Sequence, residues 1–113
     1  MMIRVLINVW YPVEKSEDVG KKYLEVERVY PFPPFIKPAS TWETWATKYG
    51  LKGSGIFKAP TENFDGTIDY FVRRLTRYAQ AIEGVKFEIA ASVTSNKARE
   101  LIGKELSEFL IPE

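Results

Sequence analysis

Three side chains that could do chemistry stand at even-numbered positions of the N-terminal segment MIRVLINVWY. These are Arg4, Asn8 and Trp10, and β-branched residues occupy the odd positions between them. Because alternate residues of a strand face the same side of a sheet, the three side chains are expected to share one face. The amide of Asn8 could orient a ligand carbonyl or hydroxyl group, or it could bond to a neighbouring strand or to water. Glu43 could pair with Arg4 on or near that face, and exposed pairs contribute roughly 0–1 kcal/mol.

Aromatic residues form a second group of candidates, and they concentrate around Trp10 and in the segment TWETWATKY. Trp42 and Trp45 are three residues apart in a predicted strand, so they are expected on opposite faces of the sheet. One interpretation is packing in the core and at an interface, where aromatic residues are enriched. The other is a pocket, lined by rings, for a flat apolar ligand.

A third candidate is the stretch YPFPPFIKP, residues 30–38, which holds four prolines and three aromatic residues. Proline excludes a helix or a central strand there. Phe32, Phe35 and Ile36 could cap the open end of the core. Alternatively, the stretch, with Phe35, forms a lid or wall over a ligand cavity, since long loops often carry function. A third interpretation is a PxxP ligand formed by Pro31 and Pro34.

The chain contains no histidine and no cysteine. It therefore has no disulfide, no thiol nucleophile, no histidine-ligated haem or zinc and no Ser-His catalysis. A hard-cation site made of carboxylates stays open, and Asp65 and Asp69 are one helical turn apart. A surface pair between Asp69 and Arg73 is the simpler interpretation of that spacing. Neither a metal nor a cofactor is expected.

The net charge is +1, which gives no overall basic field for nucleic acid or anionic lipid. The cluster Arg73, Arg74 and Arg77 is expected on a solvated helix face. The KGSG segment at 52–55 lacks the spacing of a phosphate-binding loop, and its glycines suggest a bulge or a close backbone approach. No apolar run reaches the ~18 residues of a membrane span, and the N-terminus alternates like a strand rather than a signal peptide. The absence of cysteine fits a reducing compartment, and a cytoplasmic location is expected.

Periodicity predicts seven elements, in the order strand, helix, two strands of a hairpin, helix, strand and C-terminal helix. The first strand covers Ile3 to Val9, and Ser16 begins a helix as its N-cap. Strands at about 40–48 and 51–59 form a hairpin that turns at Gly50, with the KGSG segment as an alternative turn. Asn63 introduces a helix that Gly84 closes. Its predicted core stripe is Phe64, Ile68, Phe71, Leu75, Tyr78 and Ile82.

A fourth strand covers about 85–93, and a final helical segment runs from Thr94 or Ser95 to Ile102, before a tail that holds Leu106, Phe109 and Leu110. The chain is thus predicted to be a single α+β domain over 1–113, with a core at about 2–93 and a C-terminal helix and tail at 94–113. The order βαββαβ is the ferredoxin-like plan, a four-stranded antiparallel sheet with both helices on one face.

Over about residues 2–102, the chain resembles the small ferredoxin-like proteins that pair sheet to sheet as dimeric α/β barrels. The resemblance lies in the element order and in the weakly charged outer face of the first strand, where Leu6, Asn8 and Trp10 stand. It implies a homodimer through the helix-free sheet face, which would enclose a cavity.

The expected function is the binding of a small apolar or aromatic molecule between the sheet and the dimer partner, without metal or haem. The candidate ligand contacts are Asn8, Trp10, Trp42, Phe35, Arg4 and Glu43. The alternative is a cofactor-independent enzyme, monooxygenase-like or isomerase-like, because antibiotic-biosynthesis-type monooxygenases occupy barrels of this kind and some use Asn, Trp, Tyr and Arg side chains. No nucleic-acid or membrane partner is expected.

Overall fold

The structure is a computed structural model, and it describes residues 2–92. The fold is α+β, with two helices and a five-stranded antiparallel sheet, and it is compatible with the ferredoxin-like plan. The elements are β1 (Met2–Tyr11), α1 (Ser16–Val29), β2 (Lys37–Pro38), β3 (Glu43–Thr47), β4 (Gly50–Pro60), α2 (Phe64–Ala81) and β5 (Lys86–Ser92). The predicted C-terminal helix and tail at 94–113 lie outside the described residues.

Strand β1 lies at the centre of the sheet, antiparallel to β4 on one side and to β5 on the other. The outer edge of β4 carries two strands in place of the single one predicted at about 40–48, with β2 near Phe57 and β3 near Gly53. Between them, the N–H groups of Ala39 and Ser40 both donate to the Ile56 carbonyl, at 2.7 and 3.3 Å. Two residues opposite one acceptor interrupt the ladder as a bulge does, so the strand is split.

The core forms where the odd-numbered residues of β1 meet the two helices. Ile3, Val5 and Ile7 are fully buried, as the alternating pattern predicts. They belong to one apolar cluster with Phe71 and Leu75 of α2. The even-numbered face of β1 carries no described helix, so the helices lie on one side of the sheet.

The buried face of α2 is wider than the predicted stripe, of which Phe71, Leu75, Tyr78 and Ile82 are buried as predicted. Phe64 at its start is 41% exposed, whereas Thr67, Tyr70 and Arg74 are buried. The reason is tertiary: Tyr70 stacks on Tyr30 at the end of α1, with ring centroids 4.8 Å apart. Helix α2 therefore turns part of its polar side toward α1 and the proline-rich segment.

Helix α1 packs loosely at its N-terminal end. Ser16 is its first residue, not its N-cap, and its hydroxyl donates to the Val13 carbonyl at 2.6 Å. Val26 is the one fully buried residue of α1, while Tyr23 is 38% exposed. The first half of the helix consequently stands off the sheet and leaves a space beneath it.

The predicted turn at Gly50 is confirmed. Lys48 and Tyr49 connect β3 to β4, and Gly50 has a φ of 121°. A Cβ at this position would lie 2.5 Å from the carbonyl oxygen of Tyr11, so only glycine fits. Within residues 2–92, no helix has the length and apolar character needed to cross a membrane.

Candidate functional site

A cleft of about 430 Å³ lies on the helix side of the sheet, beneath the first half of α1. Its walls come from β1, β3, β4 and both helices, and one tryptophan comes from the loop before β3. Most of its lining is apolar. The lining residues are Val9, Tyr11, Ser16, Val19, Gly20, Tyr23, Trp42, Thr44, Gly53, Arg74, Leu75 and Tyr78.

Two glycines keep this cleft open. A Cβ at Gly20 in α1 would meet no atom within 4 Å, and a Cβ at Gly53 in β4 would meet only the Glu43 carbonyl oxygen, at 3.9 Å. Both glycines line the cleft, and a side chain added at either position would meet open space. Glycine within a strand often marks such a close approach or open space, so the KGSG segment shapes a wall of the cleft and opens no helix.

Trp42 forms one side of the cleft, and its position depends on Gly55. A Cβ at Gly55 would lie 3.0 Å from Cε3 of Trp42, so the indole rests directly on the glycine backbone. The indole also meets Phe57 edge to face, with ring centroids 5.6 Å apart. Trp45 projects from the opposite side of the sheet, so the prediction that the two tryptophans face opposite ways is confirmed.

Arg74 is the charged group in the inner wall of the cleft. The prediction of a solvated face at 73–77 is wrong for this residue, which is 2% exposed. Its Nη1 donates to the Tyr70 hydroxyl at 3.0 Å and to the Tyr30 carbonyl at 3.3 Å, and its Nη2 donates to Glu27. Glu27 of α1 balances the charge, and Tyr70 of α2 and the Tyr30 carbonyl just after α1 accept the other hydrogen bonds. Together they allow the guanidinium to be buried.

Aromatic rings surround the Arg74 guanidinium, and the proline-rich segment supplies one of them. The ring centroid of Phe32 lies 4.4 Å from Cζ of Arg74, and that of Tyr23 lies 5.8 Å away. Phe32 also packs against Phe57, at 5.1 Å between centroids. The segment 30–38 therefore caps the end of the core, as one of its three interpretations proposed, and it also forms the back of the arginine site.

Burial raises the pKa of two tyrosines of this site, Tyr78 and Tyr23. Desolvation raises the pKa of Tyr78 to about 12, and the nearby Arg74 cation opposes this rise in part. Desolvation, with the Glu27 carboxylate as a second cause, also raises the pKa of Tyr23. Both phenols are protonated at neutral pH and can act as hydrogen-bond donors.

The other predicted site residues lie on the helix-free face of the sheet. Asn8 is 6% exposed and is satisfied by its neighbours: its Nδ2 donates to Glu88 at 3.0 Å, and the Ser54 hydroxyl donates to its Oδ1. This matches the interpretation of Asn8 as an amide that bonds to neighbouring strands. Trp10 lies beside it in the strand, with Nζ of Lys52 5.3 Å from its ring centroid.

Cross-strand pairing arranges this face in four rows, because directly opposed residues point the same way. The aromatic row holds Trp45, Lys52, Trp10 and Lys86. The acidic row holds Glu43, Ser54, Asn8 and Glu88. The apolar row holds Ile56, Leu6 and Ala90, and the basic row holds Lys37, Lys58, Arg4 and Ser92.

The six predicted ligand contacts do not converge on one cavity in the described chain. Trp42 lines the cleft, whereas Arg4, Asn8, Trp10 and Glu43 lie on the opposite face of the sheet. The predicted pairing of Arg4 with Glu43 is absent among the described residues, because the apolar row of Leu6 lies between their rows. Phe35 is half-buried near Gly66 at the start of α2, outside the cleft.

Sequence reasoning missed Arg74, Tyr23 and Tyr78 as members of a site. A signal was present, since Tyr70, Arg74 and Tyr78 follow one another at four-residue spacing and must share a helix face. The Asp69–Arg73 surface pair is confirmed, with 2.8 Å between Nε and Oδ2. Residues 2–92 contain no group of three acidic side chains close enough to hold a metal ion.

No protein-family model matches the sequence, and no curated protein matches it significantly. Among solved structures, the chain is similar to a de novo designed protein, Foldit4, with a TM-score of 0.57 and 14% identity over 83% of this chain and 99% of the other. It is also similar to a formyltetrahydrofolate deformylase from Pseudomonas putida, with a TM-score of 0.43 and 16% identity over 90% of this chain and 39% of that one. The likeness to Foldit4 concerns the fold alone, and the resemblance to dimeric α/β barrels stays a prediction.

Proposed function

We propose that the protein binds a small, flat, largely apolar molecule in the helix-side cleft. The observation that carries this proposal is the cleft itself, about 430 Å³ of space with a mostly apolar lining and a buried arginine in its wall. Ligand pockets are typically roughly 300–1,000 Å³, mostly apolar, with a few placed polar groups. The cleft has these three properties, although it lies on the side of the sheet opposite to the one that the barrel resemblance implies.

The shape of the ligand follows from the apolar side chains that line the cleft. The Trp42 indole stands on one side, and the apolar residues Val19 and Leu75 of the two helices stand on others. A planar molecule buries more area per atom between such surfaces than a globular one does, and ring stacking adds about 0.5–1.5 kcal/mol per pair. The ligand is therefore a planar molecule with a single ring or two fused rings.

A cofactor-independent enzyme in the same cleft is the less supported alternative. Such an enzyme needs a general base whose pKa lies near the working pH. Burial moves the pKa of Tyr78 and Tyr23 upward, away from neutrality. These groups are suited to hold a ligand by donating hydrogen bonds and not to remove its protons, which favours binding as the function.

Substitution of Gly20 tests the binding proposal. Gly20→Leu places four carbons in the open space of the cleft, and Gly20→Ala at the same position is the matched control because its Cβ meets nothing. The probe is the neutral dye N-phenylnaphthylamine, whose emission rises in apolar sites. We expect wild type and Gly20→Ala to bind it with similar affinity and Gly20→Leu to lose at least tenfold. Equal binding by all three variants, or no binding by wild type, would contradict the proposal.

The proposed assembly is a homodimer through the helix-free face, as in the dimeric α/β barrels that the chain resembles. This face exposes large apolar side chains, with Leu6 at 38% and Trp45 at 47% exposure. No described element covers them. Large apolar side chains on an uncovered sheet face are characteristic of an interaction site.

The order of the rows supports a second copy of this chain as the partner. The apolar row lies midway between the acidic row and the basic row. Consider a two-fold axis that lies in the plane of the interface, runs perpendicular to the strands and passes through the row of Leu6. This axis brings the acidic row of each copy opposite the basic row of the other. Glu43 then faces Lys37 of the second copy, so the face is complementary to itself, which a two-fold interface requires.

A further inference from the structure

The charge balance at the inner end of the cleft limits which ligand it can take. Arg74 is the cationic residue of the lining, and Glu27 binds its Nη2 directly from the side of α1. The two formal charges cancel, and the remaining lining residues are neutral. The guanidinium is therefore already neutralised before a ligand arrives, unlike an arginine prepared to pair with an anion.

The remaining polar groups at this end are phenols and hydroxyls. The charges that act on the Tyr78 phenol are those of Arg74, Tyr23 and Glu27, which shows that these groups lie together. With its pKa raised to about 12, the Tyr78 phenol is a neutral O–H group throughout the physiological range. A neutral phenol in an apolar surrounding is best matched by a neutral acceptor, such as a carbonyl oxygen.

From this arrangement, we infer that the ligand of the cleft is a neutral aromatic molecule that carries one hydrogen-bond acceptor oxygen, directed at the Tyr78 and Arg74 end. The inference rests on the proposed binding function and adds the chemical class of the ligand. The rings of the ligand lie along Trp42, and its carbonyl or ether oxygen accepts a hydrogen bond from Tyr78.

An anionic ligand fits this end of the cleft less well for two reasons. A carboxylate loses its hydration on entering a mostly apolar space, and this cost is large unless a cation compensates for it. The available cation, Arg74, is shared with Glu27, whose negative charge would stand near the incoming anion. A pure hydrocarbon would enter but would accept no hydrogen bond from the phenol O–H group.

Three naphthalenes that carry their substituent at the same ring position test the inference by calorimetry. Methylnaphthalene has no acceptor, acetylnaphthalene has a neutral carbonyl, and naphthoate has a charged carboxylate. We expect acetylnaphthalene to bind wild type about fivefold more tightly than methylnaphthalene, as one net hydrogen bond implies. Naphthoate is expected to bind at least tenfold more weakly than acetylnaphthalene.

The variant Tyr78→Phe keeps the ring and removes the donor. It should bind methylnaphthalene like wild type and lose the preference for acetylnaphthalene, and circular dichroism of each variant checks that the fold is kept. Should Tyr78→Phe fail to fold, the order of affinities of the three probes for wild type still decides the inference. Naphthoate as the tightest probe, or equal binding of the acetyl and methyl compounds, would overturn the inference while leaving the binding function intact. Absence of binding by all three probes would instead count against the binding function itself.

Discussion

Arg74 of α2 and Glu27 of α1 form a salt bridge across the two helices, with the arginine side chain 3% exposed and the glutamate side chain 34% exposed. Tyr70 and the Tyr30 carbonyl take the other described hydrogen bonds of the guanidinium. The Tyr70 hydroxyl donates to the same carbonyl, at 2.8 Å. One buried cation thus joins α1, α2 and the start of the proline-rich segment at the inner wall of the cleft.

Removal of Glu27 is expected to be costly because it leaves the Arg74 charge buried with neutral partners alone. We predict that Glu27→Ala lowers the free energy of unfolding by about 3 kcal/mol, the order of magnitude for a broken buried pair. The control is Glu17→Ala in the same helix, which removes an exposed pair with Lys21. That variant should change stability by less than about 1 kcal/mol. Urea denaturation of both variants provides the measurement, and similar losses in the two would contradict a structural role for the buried pair.

We predict that ionisation of the Tyr78 phenol lowers the free energy of unfolding in alkaline solution. The pKa of Tyr78 is about 12 in the folded protein, whereas the ordinary value for a tyrosine side chain is 10.0. The folded chain therefore holds this proton more tightly than the unfolded chain does. The resulting stabilisation is fully present below pH 10 and is lost as the pH rises toward 12. The full loss is about 3 kcal/mol, from two pKa units at 1.36 kcal/mol per unit.

The difference between wild type and Tyr78→Phe isolates this effect from the titration of lysines in the same range. Denaturation series at several alkaline pH values should show a shallower fall for the variant. A spectroscopic titration of phenolate absorbance should show one fewer late-titrating tyrosine. Parallel stability curves for the two proteins would mean that Tyr78 ionises normally in the folded chain.

The proposed dimer predicts a charge-reversal pattern on the helix-free face. Lys37→Glu would place two acids opposite each other across the interface, and Glu43→Lys would place two lysines there. We predict that each single change raises the dimer dissociation constant roughly tenfold, from like charges that replace an attractive pair. The double change should restore most of the affinity, because it regenerates the opposite-charge pair.

Sedimentation velocity of the four proteins at several concentrations gives the dissociation constants. Lys21→Glu, on the exposed side of α1, serves as a charge-matched control and should leave association unchanged. A wild-type protein that stays monomeric at micromolar concentration would remove the dimer proposal. If each single variant loses association and the double variant does not recover it, the two copies are arranged in a way other than the proposed two-fold axis.

Several elements could be predicted from local pattern because each depends on neighbouring residues alone. The alternation around Ile3 to Val9 identifies β1 and its buried face, and Gly50 marks the hairpin turn, where its φ is positive. Trp42 and Trp45 lie on opposite sides of the sheet as predicted, but Trp42 stands in the loop before β3, so the approach of its indole to Gly55 and not the strand period sets its side. The division of the outer strand into β2 and β3 escaped this reasoning, because it depends on how Ala39 and Ser40 share one acceptor of β4.

The sequence by itself determined an α+β chain with two amphipathic helices, an alternating central strand and no histidine or cysteine chemistry. Hydrophobic period, turn residues and composition carry that information locally. The tertiary structure alone decided that Arg74 is buried, that α1 stands away from the sheet, and that a cleft opens on the helix side. Those features depend on which distant groups meet, since Arg74 can be buried only because Glu27, Tyr30 and Tyr70 arrive to satisfy its charge and hydrogen bonds.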